Sequence, residues 1–326
     1  MTFYLHYRPQ TIDQLDTASV RQALNAMIGS GNIAHALLFS GPRGTGKTST
    51  ARIIAKIINC KRITNSLHHV VEPCNKCEQC LSITNGSNID VIEMDAASNR
   101  GIDEVRALRD VVKLSPATAK AKIYIIDEAH MLTTEASNAL LKTLEEPPAH
   151  VYFILATTNP EKLIDTIRSR VTEINFTKAT IEETKRSLQR IIKAEKIKID
   201  DDQIVKIAKL SKGSFRDAVK ILEQYSKDKK VLELVNIFNS EEFVEILLKK
   251  DLDSTLGIIK NSVKNGEAVD NIIQEILTVL QKKLLNSKEI EIINLIELIL
   301  QAQEFNKLSP IEELPLELAL IKWCKL

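Results

Sequence analysis

The sequence predicts an α/β domain, a mostly parallel sheet with helices on both faces, followed by purely helical segments. Three observations lead there. Between residues 36 and 176 short apolar runs of strand character alternate with segments of helical periodicity. Several of those runs end in polar or acidic residues, as strands do when a ligand lies beyond their carboxyl ends. From Thr180 onward the strand-like runs vanish and apolar spacing is helical. With 326 residues, 44% hydrophobic and 27% charged, the chain is long enough for two or three domains with cores of their own.

In chain order, Tyr4-Leu5-His6-Tyr7-Arg8-Pro9-Gln10-Thr11 precedes a helical pattern of Val20, Leu24, Met27 and Ile28 that stops at Gly29-Ser30-Gly31. The run Ala36 to Phe39 reads as a buried strand. It leads directly into Gly41-Pro42-Arg43-Gly44-Thr45-Gly46-Lys47-Thr48, which fits G-x-x-x-x-G-K-[ST] at every fixed position. Glycines let consecutive backbone N–H groups converge on phosphate oxygens, and the helix that starts at Thr48-Ser49 adds its positive end. Lys47 is expected to reach the β/γ-phosphates and Thr48 to ligate Mg²⁺.

Cys60 and the cluster Cys74-Asn75-Lys76-Cys77-Glu78-Gln79-Cys80 follow. Two overlapping C-x-x-C pairs bring three thiolates into one turn, and Cys60 can complete a tetrahedral four-sulfur site. Zinc suits four thiolates at a structural site; an iron–sulfur cluster and unliganded thiols are the alternatives. Four sulfurs leave no open coordination position, so the expected role is structural. Cys324 stands apart and reads as a small buried residue.

Ile89 to Asp95 alternates like a strand, and Ile102 to Val112 like a helix. Lys122 to Glu128 is a strand buried on both faces that ends in two carboxylates. Asp127 is placed to hold the Mg²⁺ of a loop-bound nucleotide, and Glu128 to orient or deprotonate water. A helix from Glu135 to Leu144 stops at Pro147-Pro148. The strand Val151 to Thr157 ends at Thr158-Asn159, where a γ-phosphate can be sensed, and Ile167-Arg168-Ser169-Arg170 precedes a last strand, Val171 to Phe176. Helices are expected over Ile181–Glu195, Asp201–Leu210 and a segment opened by Ser211 to Ala218, with Ala218, Val219, Leu222 and Tyr225 on its apolar face. Beyond residue 233 broad apolar helices either form their own core or pack against copies of themselves.

Net charge is +1, which excludes a strong global field for polyanions. Residues 241–326 carry 10 Lys and 15 Asp/Glu, a net of −5, so +6 falls on residues 1–240, where any polyanion contact belongs. No run approaches the roughly 20 apolar residues of a membrane span, and no basic start precedes an apolar leader. A cytoplasmic protein with no membrane partner is expected.

These motifs, in this order, resemble bacterial DNA polymerase III subunit gamma/tau, the clamp-loader ATPases of the AAA+ class. The resemblance rests on Tyr7 to Thr11, GPRGTGKTSTAR at 41–52, the four cysteines and MDAAS at 94–98. It continues with IDEAHML at 126–132, NALLKTLEEPP at 138–148, ATTNPEKL at 156–163, IRSR at 167–170 and GSFRDA at 213–218. It implies a AAA+ domain over 1–178 with a zinc module at 60–80, a helical lid over 179–230, and a shortened helical collar over 231–326. It also implies that Tyr7, Arg8, Pro9, Gly41 to Ser49 and Arg216 bind ATP, with Thr48 and Asp127 on Mg²⁺. Catalytic roles would fall on Lys47, Asp127, Glu128, the first sensor Thr158, the second sensor Arg216 and the trans-acting finger Arg170, for which Arg168 competes. Arg100, Lys142 and Thr166 would face the DNA backbone.

The implied function is to load a sliding clamp onto primer–template DNA within the DNA polymerase III holoenzyme. The implied assembly is a pentameric hetero-oligomer with delta and delta-prime type subunits and copies of the chain itself, at the replication fork in the nucleoid. The protein would hydrolyse ATP and not polymerise DNA. By length the chain reads as gamma-like, with no tau-type extension. Departures from the family are Val171 in place of a usual cysteine, Asn99 after the serine, and no glycine-glutamine within residues 14–20. Two rival readings are a AAA+ remodeller or branch-migration motor, against which the cysteines argue, and a non-hydrolysing delta-prime type subunit, against which the complete loop argues.

Overall fold

The computed structural model describes residues 2–62, 72–98, 112–229, 231–234, 238–264, 268–287, 289–306 and 308–325. The chain forms two compact units, Met1–Asp228 and Lys229–Leu326. The expected helix from Ile102 lies outside the described residues, except for Val112.

The first unit is built on five parallel strands, β1 (Ala36–Ser40), β2 (Val91–Asp95), β3 (Lys122–Asp127), β4 (Val151–Thr157) and β5 (Thr172–Asn175), in the order β2-β3-β4-β1-β5. Besides a single helical turn at Phe3–His6, its α-helices among the described residues are α1 (Ala18–Gly29), α2 (Lys47–Asn59), α3 (Glu78–Asn85), α4 (Thr134–Glu145), α5 (Asp165–Arg168), α6 (Ile181–Glu195), α7 (Asp201–Leu210) and α8 (Phe215–Lys227).

Side chains alternate across a pleated strand, so each central strand supplies two cores. Leu37, Phe39, Ile123, Ile125, Ile154 and Ala156 face one side and pack with Leu24 of α1 and Ile53, Ile54 and Ile57 of α2. Ala36, Leu38, Tyr124, Ile126, Phe153 and Leu155 face the other and pack with Ala136, Leu140 and Leu144 of α4. This double burial explains why β3 and β4 read as continuous apolar runs. The edge strand β5 buries only Ile174.

β4 sits between β1 and β3, although it follows both in the chain. Its register sets Ala36 against Phe153 on one side and Lys122 against Val151 on the other. The carboxyl ends of β1, β4 and β3 therefore lie side by side. Gly41 N–H donates to Thr157 O at 3.1 Å, and Phe176 N–H donates to Ser40 O at 2.7 Å, which joins β5 to the same edge.

β2 begins at Val91, two residues later than the alternation suggested. Asp90 is turned inward, where its carboxylate accepts N–H bonds from Ala117, Thr118 and Ala119 at 2.8–2.9 Å, and Ile89 is left exposed. Those three donors hold the Asp90 carboxyl below its ordinary value despite the burial that pushes it up.

Helices α6 to α8 are capped at their N-termini by side chains. Thr180 and Glu183 form a capping box on α6, Asp200 and Gln203 one on α7, and Ser214 accepts from Asp217 N–H on α8. The second unit contains α9 (Ser240–Leu248), α10 (Leu252–Lys264), α11 (Val269–Ser287), α12 (Ile290–Asn306) and α13 (Leu314–Lys325). Phe243, Leu247, Ile259, Ile272, Ile276, Leu295, Ile299 and Leu320 close its core around Trp323, whose indole N–H donates to Leu247 O at 3.0 Å. It also leaves Ile290, Phe305 and Leu308 exposed. Cys324 is half-buried there, and burial pushes its thiol up. Among the described residues no helix is long and apolar enough to cross a membrane.

Phe153 has no exposed surface and stacks on Tyr124 with ring centroids 5.3 Å apart in the centre of the sheet. Phe153→Ala is expected to lower stability by about 3–5 kcal/mol. Urea unfolding followed by far-ultraviolet circular dichroism measures this, and a loss below about 1 kcal/mol would contradict the packing described.

Candidate functional site

The glycine-rich loop between β1 and α2 is shaped by contacts that only glycine allows. Gly41 has φ +136°, and a Cβ there would stand 1.9 Å from Phe176 O. Gly44 has φ +79°, and a Cβ there would stand 2.1 Å from Ser214 Oγ. The loop can thus lie against the end of β5 and the start of α8, where Phe215 N–H donates to Gly44 O at 3.0 Å.

Lys47 opens α2 and is 6% exposed. Its ammonium donates to Gly41 O at 2.7 Å and Pro42 O at 2.8 Å. Burial pushes its pKa down, the carboxylates of Glu128 and Asp127 pull it back up, and Arg216 adds to the lowering. Thr48 Oγ1 donates to Asp127 Oδ2 at 2.8 Å, so the loop and the end of β3 are joined directly. Asp127 Oδ1 accepts from Glu128 N–H at 3.0 Å, which supports the left-handed backbone of Glu128, φ 49°. Glu128 Oε2 accepts from Thr158 Oγ1 at 3.1 Å and lies 3.5 Å from His130 Nδ1. That same ring nitrogen is 2.9 Å from Thr157 Oγ1. Lys47, Thr48, Asp127, Glu128 and Thr158 therefore form one polar network across three strand ends.

This network forms part of the wall of a cleft of ≈ 230 Å³. Arg43, Gly44, Thr45, Gly46, Lys47, Thr48 and Ser49 line one part, Tyr7, Arg8, Pro9 and Arg216 another, and Asp127 and Glu128 a third; of the sequence-predicted nucleotide-site residues, Gly41, Pro42 and Thr158 do not line it. Arg8 is half-buried and its pKa is lowered, first by burial and then by the positive charges of Arg52 and Arg216. An anion between Arg8, Arg216 and Lys47 would relieve that repulsion.

Motif reading did not find Tyr4, Leu15, Asp16, Thr17, Val20 and Phe215, which also line the cleft. The signal available was the apolar face of α1 at Val20; the burial of the Asp16 carboxylate has no mark in the sequence. Asp16 Oδ1 and Oδ2 accept from Arg190 of α6 at 2.8 and 2.6 Å. Further bonds tie the N-terminal segment to the helices that follow the sheet: Phe3 N–H to Glu223, Tyr7 OH to Glu195 and Ala18 N–H to Glu183.

Arg170 is not in the cleft wall. Its guanidinium donates to Glu145 and, at 2.6 Å, to Thr166 O, at a corner shared by α4 and α5. Arg168 is exposed and 3.8 Å from Asp165. Lys142 and Thr166 are exposed on α4 and α5 at the same corner, and Arg100 lies outside the described residues.

The four cysteines converge, with all their sulfurs within 4.8 Å of one another and both Cys74···Cys80 and Cys77···Cys60 at 4.0 Å. A tetrahedral metal with about 2.3 Å bonds to sulfur needs sulfurs about 3.8 Å apart, so this donor set fits one. Burial pushes the Cys77 thiol up, but N–H groups of Cys80 and Lys61 more than reverse this, to about 6. Cys80 is shifted the other way, pushed up by burial and by the neighbouring Cys77 and Cys60 sulfurs.

A sequence profile described as "DNA polymerase III, delta subunit" matches residues 17–180, a span that holds the loop, the cysteines and all five strands. The chain belongs to this family. Among curated relatives, "DNA polymerase III subunit tau" of Bacillus subtilis strain 168 is 38% identical over 323 residues, covering 96% of this chain and 56% of that protein. "DNA polymerase III subunit gamma/tau" of Mycoplasma genitalium is 40% identical over 276 residues, 81% of this chain and 45% of the relative. The chain spans about half the length of the curated relatives it matches. Among solved structures, the "Thermotoga maritima RuvB Holliday junction branch migration motor" is 18% identical with a TM-score of 0.48, covering 78% of this chain and 85% of that one.

Asp16 is 5% exposed and Arg190 reaches it from the surface. Asp16→Ala is expected to cost about 1–3 kcal/mol, the range for hydrogen bonds to charged groups. Thermal unfolding of the variant tests it, and an unchanged midpoint would show that the pair contributes nothing measurable.

Proposed function

We propose that this DNA polymerase III family member is an ATP-driven motor subunit of a bacterial clamp loader, acting in the cytoplasm at the replication fork. The observation that carries this is the joining of the complete glycine loop to the acidic pair through the Thr48–Asp127 hydrogen bond, with Lys47 of the same loop in the field of both carboxylates. The tau and gamma/tau names of the relatives support the setting.

In this reading the loop N–H groups and Lys47 hold the triphosphate, while Arg8, Pro9 and the apolar wall around Leu15 and Val20 receive the nucleoside. Thr48 and Asp127 would hold Mg²⁺, which neutralises charge on the phosphates. Glu128 orients water, and its contacts with Thr158 and His130 fix where its carboxylate points. Thr158 and Arg216 act as sensors of the γ-phosphate, from a strand end and from the first turn of α8 respectively. Residues 179–230 serve as the lid and residues 231–326 as a collar whose exposed Ile290, Phe305 and Leu308 meet sister subunits. Those sisters are delta and delta-prime type subunits and copies of the chain, in a hetero-oligomer that opens the sliding clamp and closes it on primer–template DNA. Lys142, Thr166 and Arg100 would touch the DNA backbone, in contacts that weaken with salt.

Arg170 serves as the finger for a neighbouring subunit's ATP, because its anchors at Glu145 and Thr166 O keep it at a corner away from its own cleft. The four cysteines hold structural zinc, the metal best matched to four thiolates. The family description would also suit a subunit that does not hydrolyse ATP, but nothing in Gly41 to Thr48 is degenerate.

ATP turnover is measured for the chain alone, then with primer–template DNA, clamp and partner subunits. Stimulation that needs both DNA and clamp, and is lost in Lys47→Ala, is expected. Turnover indifferent to both additions would favour a remodeller, and failure to retain ATP a structural subunit. Arg170→Ala should leave ATP binding intact and lower turnover of the assembly about a thousandfold; normal turnover would move the finger to Arg168. Elemental analysis of the native protein should find one zinc per chain, and a folded, metal-free preparation would refute the cysteine assignment.

A further inference from the structure

The N-terminal strap, residues 7–16, forms part of the cleft wall at both its ends, where Tyr7, Arg8 and Pro9, and then Leu15 and Asp16, line it. Tyr7 and Asp16, near its two ends, are bonded to α6, as described above. Its middle is gripped from a different direction, by the segment that carries the cysteines.

Glu72, two residues before Cys74, accepts from Ile12 N–H with one carboxylate oxygen and from Asp13 N–H with the other, both at 2.9 Å. Asn75, between the second and third sulfur ligands, donates from Nδ2 to Gln10 O at 3.3 Å. Thr84, one turn beyond Cys80 on α3, donates to Gln10 Oε1 at 3.2 Å. Between these groups stands Lys56 of α2, 1% exposed. Its ammonium donates to Gln10 Oε1, to Gln10 O at 3.3 Å, to Asn75 Oδ1 at 2.8 Å and to Thr84 Oγ1 at 3.3 Å. The other end of the Gln10 amide, Nε2, donates to Arg8 O at 3.0 Å. A continuous chain of polar contacts thus runs from the turn that holds the thiolates, through Lys56 and Gln10, to the backbone of a cleft residue.

The cost of this arrangement marks it as more than incidental packing. A lysine removed from water is unfavourable unless its donors are satisfied, and burial pulls the Lys56 pKa down to about 8. Gln10, Asn75 and Thr84 supply its acceptors, and two of those three belong to the cysteine segment. The positive φ of Asn75, 53°, is part of the same turn that brings Cys74, Cys77 and Cys80 together. Hence the geometry that gathers the sulfurs also aims Asn75 at Lys56 and Gln10.

We propose that the cysteine module is a clasp that fixes the N-terminal strap over the cleft, with Glu72 and Lys56 as positioning residues, so that metal occupancy sets affinity for the nucleoside part of a bound nucleotide. Nucleotide affinity here rests on the proposed ATP site; the fixing of the strap does not. The triphosphate end is held by the loop and Lys47, with Arg8 the one strap cation in the cleft wall, so the clasp acts on it less than on the nucleoside.

The test uses the full-length, zinc-replete chain and its Glu72→Ala and Glu72→Gln variants. Amide hydrogen exchange of residues 8–14 is read without nucleotide, and binding of ATP and of inorganic tripolyphosphate by calorimetry. Glu72→Ala should accelerate exchange across residues 8–14 and raise the Kd for ATP about tenfold, equivalent to about 1.4 kcal/mol. Its zinc content should stay within twofold of the parent's, and its Kd for tripolyphosphate should rise by less than about threefold. Glu72→Gln keeps an oxygen acceptor and should fall between the two. Stripping the metal with a mercurial and chelator should reproduce the Ala phenotype, reversed on adding zinc.

If exchange and ATP affinity in Glu72→Ala match the parent with zinc retained, the clasp is wrong. Equal losses for ATP and tripolyphosphate would reduce Glu72 to a general structural role and overturn the proposal as well. Should the parent bind neither ligand, the ATP reading fails on its own, and the exchange rates still decide whether the module holds the strap.

Discussion

A buried ammonium, that of Lys47, is the constraint on which the first unit depends. An unpaired charge at that depth would be too costly to keep, so carbonyls and carboxylates must be brought to it from outside its own helix. Gly41 and Pro42 turn their carbonyls onto it, which requires a loop conformation open only to glycine at positions 41 and 44. Asp127 and Glu128 supply the compensating field, which requires β3 to end near β1 with one strand between them. The sheet order and the close packing of the loop on Phe176 and Ser214 both follow from keeping one cation charged in a nearly dry place. The same arrangement that satisfies Lys47 prepares a surface of N–H groups and positive charge for a polyanionic ligand.

Much of this was legible in the sequence because its causes are local. The loop motif, the acidic end of β3, the polar end of β4 and the helices after Thr180 each occupy a few consecutive residues, and strand alternation or capping fixes their structure. β2 was misread at its start because Asp90 accepts three N–H bonds from residues 117–119, a contact that alternation within 89–95 cannot express. The Asp16–Arg190 pair joins residues 174 positions apart, and Lys56 reads as one more polar residue of a mixed helix, with Arg52 and Asn59 a turn away on either side. Neither has a motif, since nothing in local propensity reports which distant residue will satisfy a buried charge.

The cleft has walls of two kinds. One is the rigid end of a parallel sheet, whose backbone is fixed by ladder bonds on both sides. The other is made by the N-terminal strap and by α6 and α8, joined by a few bonds to side chains: one from Tyr7 to Glu195, one from Phe3 N–H to Glu223 and two from Arg190 to Asp16. Walls of the second kind are the easier to displace, because each bond is partly solvated and contributes modestly. Chemistry at the sheet end and adjustment at the helical side are therefore separable.

Arg216 and Arg170 illustrate why position in this architecture decides what an arginine can do. Arg216 lies in the first turn of α8 beside the loop and lines the cleft, and it adds to the positive field felt by Arg8 and Lys47. Repulsion among these cations is relieved only by an anion, so in the proposed function Arg216 reports ligand within its own chain. Arg170 is instead engaged at Glu145 and Thr166 O, and its residue-to-residue contacts turn it to a corner of α4 and α5. A guanidinium held there by a fixed partner is pre-oriented at little further entropic cost, which suits a group that must meet a charge presented by another subunit. The Glu145 carboxylate also competes for it. In the proposed function, engagement in trans would require the phosphate charge of the neighbour to outweigh a carboxylate already in contact, which would make the finger selective for the fully charged nucleotide.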